Sequence, residues 1–600
     1  MTLAAAAAMN TRDMSGNDDD DACVERLQSI ESLLFQGCAD AALAQAQQLF
    51  VEGGIPPARV ADLCRLTALA AQQLQLTELA ETMWQQAAAH APNAMQAAEA
   101  HTHLGVLLST MQRPDAAEAC WRRAIDLDPD DVAALANLAV RLGETGRAAE
   151  AETCYRRVLA LSPDHAAAHT NLGLLLQNRQ QLDEAEAHLR RALALAPTSA
   201  AVLSNLGNLL AQRDAPIEAE ACLRRALALD PHWAAAHNSL GVLLDTLQQD
   251  AAAEAHFRRA LELRPGYPLA RLSLAYLLLA QGRFDEGWPL YEARHDPALP
   301  DNGIAPPDVP FPRWHGESLT GRALLIWPEQ GLGDQIQFCR YVPRLKALGA
   351  ARVTLVCQRP LQALFETLPG VDRVVAADVV DNLFQVDAAE LTDHDVWSFP
   401  ISIATLLRTD LSTLPQAPLP YLHAAPQRIE TWTRRCADHA DGMLRVGLVW
   451  RGNPRHHNDA ERSLPGLATL APLWSVRGVR FFSLQAGSAG MAALTPPPGQ
   501  PLQHLGTELS DFADTAAALA AMDLLICVDT SIAHLAGALA MPCWVLLPQH
   551  RTDWRWLRER DDSPWYPSGM RLFRQTQRGD WATLIERVRD ALAAWAERHP

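Results

Sequence analysis

The chain has 600 residues, of which 49% are hydrophobic and 20% charged, so it can bury several cores and is not globally disordered. Its 51 lysines and arginines against 70 acids give a formal charge of -19, which argues against broad binding to nucleic acid or to an anionic membrane surface. Any anionic ligand must therefore bind at a local site.

The first segment, residues 1–22, joins a run of alanines to a block of aspartates, with no basic region before the apolar residues. We predict a disordered tail and not a signal peptide. No run of about 18 apolar residues follows, so no transmembrane helix is expected and a cytoplasmic location is predicted.

A repeat with a period of 34 residues dominates the next part of the chain. Each unit holds a Leu-Gly or Leu-Ala pair, then an alanine, a large residue and a closing proline at constant spacing. The pattern resembles the tetratricopeptide repeat, in which small residues let two helices approach and proline ends the second. We predict a right-handed α-solenoid with a concave face over residues 23–295, with clear repeats at 98–295. The closing prolines are Pro129, Pro163, Pro197, Pro231 and Pro265.

One column of the repeat contains cysteines and histidines. Metal ligands converge within a few Å, whereas a column is spread along the array, so we interpret these residues as packing residues and predict no metal site. The absence of any CxxC pair agrees with this interpretation. The column consists of Cys120, Cys154, His188, Cys222 and His256.

A second column contains Asn137, Asn171 and Asn205, each directly before the leucine of the small-residue pair. These repeats resemble those of O-GlcNAc transferase, in which asparagines of this column line the inner surface and hold the backbone of extended peptides. An amide that both donates and accepts suits such sequence-tolerant binding. Hydrogen bonding between helices of the array is the alternative, and both remain open.

The second half of the chain has an α/β pattern. Residues 296–318 are rich in Pro and Gly and are predicted to be a linker. Short apolar runs then alternate with helical patterns, which is typical of parallel sheets covered on both faces. We predict two Rossmann-like halves, 319–425 on the acceptor side and 426–600 on the donor side, the second ending in an amphipathic helix. Ligands bind such folds at the carboxyl ends of the strands.

The stretch WPEQGLGDQIQF follows the first of these strands. Gly331 and Gly333 lack the third glycine of a dinucleotide fingerprint, because Ile336 stands there, and no Gly-Lys-Ser/Thr follows. A helix is expected from about Asp334. Its carboxylate could cap the first turn or project into the cleft as a base. The two glycines are predicted to keep the mouth of the cleft open beside an acceptor.

The stretch LLICVDTSIAHLAGAL lies at the matching place in the second half. A strand ends at Asp529, and Thr530 and Ser531 begin a helix whose free amides and dipole suit a diphosphate. His534 follows about one turn later and can share their face of the helix. A structural role in packing is the alternative for this histidine.

Together, VDTSIAHLAGAL and EQGLGDQIQF resemble motifs of the ADP-heptose:lipopolysaccharide heptosyltransferase-like family over roughly residues 310–595. The stretches RVGLVWRGNPRHHNDAERSLP, FFSLQAG and DWRWLRERDDSPWYPSGMRLFRQ resemble a bacterial group that joins tetratricopeptide repeats to this module. The family consists of glycosyltransferases of the two-domain GT-B architecture. The resemblance implies inverting transfer of a sugar from a nucleotide-sugar donor, with no required metal.

Carried onto this chain, the resemblance makes Asp334 the general base, and makes Asp529, Thr530 and His534 the donor-binding motif. Cations near the leaving diphosphate would stabilise it, although the cationic candidates could equally be exposed loop residues. Ser531 stands where the family has Gly, which leaves the sugar and the nucleotide open. The remaining donor-binding candidates are Ser531, Gln485, Arg451, His457 and Arg462.

These observations favour a glycosyltransferase whose solenoid presents an acceptor, such as a protein. The alternative is an interaction scaffold with an inactive or ligand-sensing GT-B module. An enzyme of the lipopolysaccharide core at the membrane face is disfavoured, because no basic amphipathic surface is apparent.

Overall fold

The structure is a computed structural model that describes residues 17–53, 55–299, 304–381, 383–414, 419–437, 442–456 and 458–599. The chain divides into two compact units, the first ending at Pro231 and the second beginning at His232. The expectation of helical repeats followed by a part with parallel sheets is confirmed, and one strand of the first sheet is antiparallel.

The first unit consists of helices that pack against their neighbours along the chain. Helix α1 begins at Asn17, so the last residues of the predicted 1–22 tail are helical, and residues 1–16 lie outside the described residues. The helices are α1 (Asn17–Phe35), α2 (Ala39–Glu52), α3 (Val60–Gln73), α4 (Thr77–Ala89), α5 (Ala94–Thr110), α6 (Pro114–Leu127), α7 (Val132–Glu144), α8 (Ala148–Leu161), α9 (Ala166–Asn178), α10 (Leu182–Leu195), α11 (Ala200–Gln212) and α12 (Pro216–Leu229).

Small residues in the repeats are required by the close packing of the two helices. A Cβ atom added to Gly173 would lie 2.8 Å from Cγ of Leu189, and one added to Gly207 would lie 2.7 Å from Cγ of Leu223. The turn between the two helices of each repeat contains a residue with φ between 58° and 75°. These turn residues are Gln112, Gly146, Gln180 and Asp214, again at the period of 34.

The second unit begins inside the repeat domain and contains its last four helices together with both sheets. The repeat domain predicted at 23–295 is therefore not one compact unit, because its final repeats pack with the α/β part. These helices are α13 (Ala234–Thr246), α14 (Asp250–Leu263), α15 (Pro268–Ala280) and α16 (Phe284–Tyr291).

The first sheet has the strand order β4-β3-β2-β1-β5 and is parallel except for β4. The second half of the predicted linker 296–318 is attached to the first sheet, because the amide of Trp314 donates to the carbonyl of Trp397 in β5 at 2.7 Å. The strands are β1 (Ala323–Ile326), β2 (Arg352–Gln358), β3 (Arg373–Val380), β4 (Leu383–Gln385) and β5 (Val396–Ser398). Its helices are α17 (Leu332–Phe338), α18 (Val342–Ala347), α19 (Gln362–Phe365) and α20 (Pro400–Leu406).

The second sheet is parallel, with the order β11-β10-β9-β6-β7-β8. When its six strands are numbered along the chain and read from the β8 edge, their order is 3-2-1-4-5-6, as in doubly wound nucleotide-binding sheets. The order of the strands reverses between β6 and β9, which are neighbours in the sheet. The strands are β6 (Leu444–Val449), β7 (Val479–Ser483), β8 (Gln503–His504), β9 (Leu524–Val528), β10 (Cys543–Leu547) and β11 (Met570–Arg574). Its helices are α21 (Pro426–Ala437), α22 (Asp459–Arg462), α23 (Phe512–Ala520), α24 (Ser531–Ala538) and α25 (Trp581–Ala596).

Candidate active site

The turn before α17 and the turn before α24 meet, because these two helices pack against each other. A Cβ atom on Gly333 would lie 2.9 Å from Cδ2 of His534 and 3.4 Å from the Cα atom of Ser531. Gly333 therefore allows the contact between the helices, and it does not hold a gap open as predicted. A Cβ atom on Gly331 would meet only a carboxylate oxygen of Asp334, at 3.4 Å.

Asp334 has the first of the two roles that the sequence left open to it, since its carboxylate caps the first turn of α17. Its Oδ2 accepts from the amide of Gly331 at 2.9 Å, as an acid in the first turn of a helix does, and its Oδ1 forms an ion pair with Nη2 of Arg555. Burial raises the pKa of Asp334, although the neighbouring Arg555 guanidinium opposes the rise. The carboxylate is thus held in place and remains 19% exposed.

Arg555 links the two halves of the α/β part. Its Nε donates to Oε1 of Gln337 at 2.9 Å, and its Nη1 donates to both carboxylate oxygens of Asp553 at 3.0 and 3.1 Å. The guanidinium also lies 4.3 Å from the ring centroid of Trp554. One buried cation therefore binds both Asp334 and Asp553, and it holds α17 against the loop after β10.

His534 is buried in α24 and does not face open solvent. Its Nδ1 lies 2.9 Å from the hydroxyl of Tyr566, and its ring stacks on Trp556 with centroids 5.0 Å apart. Burial, with Arg555 next in size, lowers the pKa of His534 to about 3. The imidazole is therefore neutral at physiological pH and can donate or accept only a hydrogen bond.

Asp529 directly follows β9 and is 9% exposed. Burial raises its pKa to about 6, and the charge of Asp553 adds to this effect, while Arg462 and Arg555 oppose it. Thr530 is the N-cap residue of α24, and its buried hydroxyl oxygen has no hydrogen-bond partner within the described residues. Ser531 is the first residue of the helix and is half-buried.

The loop after β6 supplies the predicted cations. Arg462 is 15% exposed, lies 3.6 Å from the carboxylate of Asp459, and has a buried Nε without a hydrogen-bond partner in the described parts of the chain. Arg451 is exposed, and its amide donates to Oε1 of Gln485 at 2.9 Å. Gln485 thus fixes the loop backbone and is buried beneath it. His457 lies outside the described residues.

Most of the predicted site residues come together at the carboxyl ends of the two sheets. Asp334, Asp529 and His534 surround the same two charged neighbours, because Arg555 and Asp553 alter the pKa of all three. Arg462 lies close enough to alter the pKa of both Asp529 and His534. The loop after β6 and the turn after β9 flank the reversal of strand order, where doubly wound sheets bind ligands.

The sequence interpretation missed four residues of this site. They all come from the stretch DWRWLRERDDSPWY, for which the sequence indicates a family resemblance but no role for single residues. The available signal was the alternation of acids, arginines and aromatic residues in a loop after a buried strand. The missed residues are Asp553, Arg555, Trp556 and Tyr566.

The asparagine column belongs to the first unit. Asn137, Asn171 and Asn205 are all half-buried. Asn137 lines a groove of about 280 Å³ together with Met95, Val106 and other residues. Asn171 interacts with the hydroxyl of Tyr155 and so takes part in packing between helices. Within the described residues, no group of three or more potential ligands could hold a metal ion.

Comparison with known families settles the nature of the repeats. Family models described as tetratricopeptide repeat match residues 98–131, 137–200, 199–229 and 249–287. The N-terminal part of the chain consists of tetratricopeptide repeats. None of the helices in the described ranges has both the length and the apolar composition needed to cross a bilayer.

Several known proteins are similar to parts of the chain. Protein FlbA of Caulobacter vibrioides is 31% identical over 340 residues, which cover 54% of this chain and 54% of that protein. The chain thus matches about half the length of this curated relative. Among solved structures, PilF of Pseudomonas aeruginosa is 22% identical, with a TM-score of 0.30, and covers 34% of this chain and 95% of its own. The tetratricopeptide protein TTC0263 of Thermus thermophilus is 25% identical, with a TM-score of 0.27, and covers 30% and 99%.

Proposed function

We propose that the chain is a glycosyltransferase whose two Rossmann-like halves form a GT-B module and transfer a sugar, with inversion, from a nucleotide-sugar donor. The acceptor is a protein or peptide bound by the tetratricopeptide repeats. The observation that carries the proposal is the packing of α17, which holds Asp334 in its first turn, on α24, which holds His534 and directly follows Asp529 and Thr530.

The donor binds at the carboxyl edge of the second sheet. The N-terminus of α24 offers free amides and a positive dipole end to a diphosphate. The guanidinium of Arg462, whose Nε makes no hydrogen bond within the described residues, and the exposed guanidinium of Arg451 supply positive charge beside it. Charge on the leaving diphosphate is stabilised in this way without a metal.

Asp334 accepts the proton of the acceptor hydroxyl. A carboxylate has about four lone-pair positions, so the bonds from Gly331 and Arg555 leave about two positions for a further donor. The raised pKa brings the carboxylate closer to the working pH, which favours proton transfer. Neutral His534 contributes a hydrogen bond and no charge.

Thermal unfolding of the full chain with a panel of nucleotide sugars tests this function. A donor present at 100 times its Kd stabilises the protein by about 2.7 kcal/mol, which raises Tm by several degrees. Arg462→Met should remove most of that shift, whereas Arg477→Met, at an exposed site, should not. No shift with any nucleotide sugar at millimolar concentration would count against the enzyme.

A scaffold function is the second candidate, and the repeats favour it. The groove beside Asn137 can accept an extended peptide, with Met95 and Val106 as apolar contacts. Replacing Asn137, Asn171 and Asn205 by Ala should weaken peptide binding under either function. Peptide binding without any nucleotide-sugar binding would select the scaffold.

A further inference from the structure

A row of hydrogen-bonding groups runs from α17 to His534 through two buried tyrosines. At one end, the hydroxyl of Tyr421 donates to the carbonyl of Ile336 in α17 at 3.0 Å. At the other end, the hydroxyl of Tyr566 lies 2.9 Å from Nδ1 of His534. The two hydroxyl groups also interact with each other. Groups from both halves of the α/β part are therefore linked in one row.

Packing holds both tyrosine rings in place. Each residue is 1% exposed, and the guanidinium of Arg340 lies 5.0 Å from the ring centroid of Tyr421 and 5.3 Å from that of Tyr566. A Cβ atom on Gly537 of α24 would overlap Cγ of Tyr566, so this glycine makes room for the ring about one turn after His534. Burial raises the pKa of both phenols, so each hydroxyl keeps its proton and can donate one hydrogen bond.

The number of protons sets the direction of these bonds. A carbonyl can only accept, so the single proton of Tyr421 is used on Ile336, and Tyr421 can only accept from Tyr566. If Tyr566 gives its proton to Tyr421, its oxygen accepts from Nδ1 of His534, and all three contacts contain a proton. If Tyr566 instead donates to His534, the two tyrosine oxygens face each other with no proton between them. The first arrangement is favoured, because buried polar groups are nearly always hydrogen-bonded.

The other ring nitrogen of His534 lies beside the glycine loop. Its Nε2 is 3.6 Å from the position of a Cβ atom on Gly333, which directly precedes Asp334. This nitrogen makes no hydrogen bond within the described residues and is not fully enclosed by them. Trp556 stacks on the imidazole with an angle of 17° between the rings, which holds the plane of the ring. Nε2 is therefore a fixed nitrogen that a ligand can reach.

We propose that Tyr421 and Tyr566 are positioning residues, which hold His534 with its proton on Nδ1 and a lone pair on Nε2. His534 then accepts a hydrogen bond from a hydroxyl group of a ligand and donates none to a phosphate oxygen. Because α17 supplies the carbonyl at the end of the row, this tautomer depends on the contact between the two halves. Identifying the ligand as a nucleotide sugar rests on the proposed function. In that role, His534 binds a hydroxyl of the sugar.

The tautomer of His534 is measured in the full chain labelled with ¹⁵N-histidine, by long-range ¹H–¹⁵N correlation at neutral pH. His534→Gln assigns the signals, and the wild type should have a protonated Nδ1 and a bare Nε2. In Tyr421→Phe, the proton of Tyr566 loses its acceptor and turns to Nδ1, so the imidazole should change to the Nε2–H form. Tyr566→Phe removes the acceptor of Nδ1–H and should give the same change.

Tyr341→Phe is the matched control. It removes another buried hydroxyl, which lies 2.8 Å from the hydroxyl of Thr409, and should leave the tautomer of His534 unchanged. A bare Nδ1 and a protonated Nε2 in the wild type would overturn the proposal. So would the wild-type tautomer in a folded Tyr421→Phe variant, because the row would then have only a structural role.

Isothermal titration tests the ligand with ADP-glucose, UDP-glucose and GDP-mannose, each compared with its free nucleoside diphosphate. Tyr421→Phe should bind the nucleotide sugar about tenfold more weakly, as expected for one lost hydrogen bond, and should bind the free diphosphate as the wild type does. Equal weakening of both ligands would place His534 at the phosphates and overturn the sugar contact.

The two ideas fail separately, because the tautomer is measured without any ligand. If neither nucleotide sugars nor diphosphates bind, the proposed function fails, while the wild-type tautomer still decides the role of the tyrosines. If nucleotide sugars bind but Nε2 is protonated, the transferase stands and the role of Tyr421 and Tyr566 is overturned.

Discussion

Gly333 lies where α17 packs against α24. A side chain there would lie 2.9 Å from His534, so Gly333→Ala forces α17 and α24 apart and should destabilise the second unit by about 1–3 kcal/mol. Gly331→Ala is the matched control, because its added Cβ meets only an oxygen of Asp334 at 3.4 Å. Urea unfolding of both variants measures the difference. Equal stability of the two would mean that the helices are not in contact.

Asp334 is the base in the proposed transfer. Asp334→Asn keeps an oxygen for the amide of Gly331 but cannot take a proton, so kcat should fall by about 10²–10⁴-fold while donor affinity changes little. Asp378→Asn, at an exposed carboxylate of the same half, should leave kcat unchanged. Steady-state kinetics with donor titration separates the two quantities. Unchanged turnover in Asp334→Asn would remove the base assignment.

The titration of Asp529 and the titration of His534 have opposite effects on how the free energy of unfolding changes with pH. The pKa of Asp529 rises from 3.8 to about 6, so the folded state holds the extra proton and stability falls as pH rises through that window. The pKa of His534 falls from 6.5 to about 3, so the unfolded state holds the extra proton and stability rises with pH between those values. The two slopes largely cancel between about pH 4 and pH 6.

Asp529→Asn should therefore expose the slope of His534 alone. The free energy of unfolding of the second unit should fall by about 1.4 kcal/mol for each pH unit from 6 to 4, more steeply than in the wild type. Urea unfolding at several pH values, followed by tryptophan fluorescence, measures this. A slope identical to that of the wild type would show that Asp529 is ionised throughout the range.

At the scale of elements, the turn between α13 and α14 holds the segment after β10. Arg558 binds Asp245 and Asp250 there, and its amide donates to the carbonyl of Ala280 at 2.7 Å. Because the two ion pairs of Arg558 are partly buried, Arg558→Met should lower the free energy of unfolding by about 1–3 kcal/mol. Arg560→Met breaks an exposed pair with Asp562 and should change stability by less than about 0.5 kcal/mol. Thermal unfolding distinguishes the variants, and equal Tm values would contradict this role.

The sequence predicted elements better than it predicted contacts. The period of 34 located the repeat helices, because each repeat turn and small residue depends on neighbours close in the chain. The turns at Gly331 and Asp529 were located for the same local reason. Arg555 could not be predicted, because its partner Asp334 lies 221 residues away and only the packing of α17 on α24 brings them together. The role of Gly333 was predicted wrongly, since a glycine required by a neighbouring helix has the same sequence pattern as one in an open loop.

At the scale of the whole molecule, the boundary between compact units does not follow the boundary between repeats and sheets. Arg294, after α16, binds the buried carboxylate of Glu329 in the glycine loop at 2.9 Å. Trp288 of α16 donates to the carbonyl of Thr409 at 2.9 Å and is buried beside the first sheet. The last repeats are therefore part of the core that holds Asp334.

A fragment that begins at residue 296 should fail to fold stably. Loss of Arg294 leaves the charge of Glu329 buried without its partner, which costs about 3–5 kcal/mol, and loss of Trp288 exposes apolar surface. A fragment that begins at residue 232 keeps both and should unfold cooperatively. Circular dichroism during urea titration compares the two, and equal stability would show that the last repeats are dispensable.

The division at Pro231 also separates the number of repeats, which can change during evolution, from the contacts that hold the candidate active site. In a repeat array, each unit contacts only its neighbours, so whole repeats can be gained or lost without disturbing distant ones. The first unit could therefore lengthen or shorten in steps of 34 residues while Arg294, Trp288 and Arg558 keep their contacts within the second unit. Related proteins should then share the last repeats and the α/β part closely, and differ in how many repeats come before them.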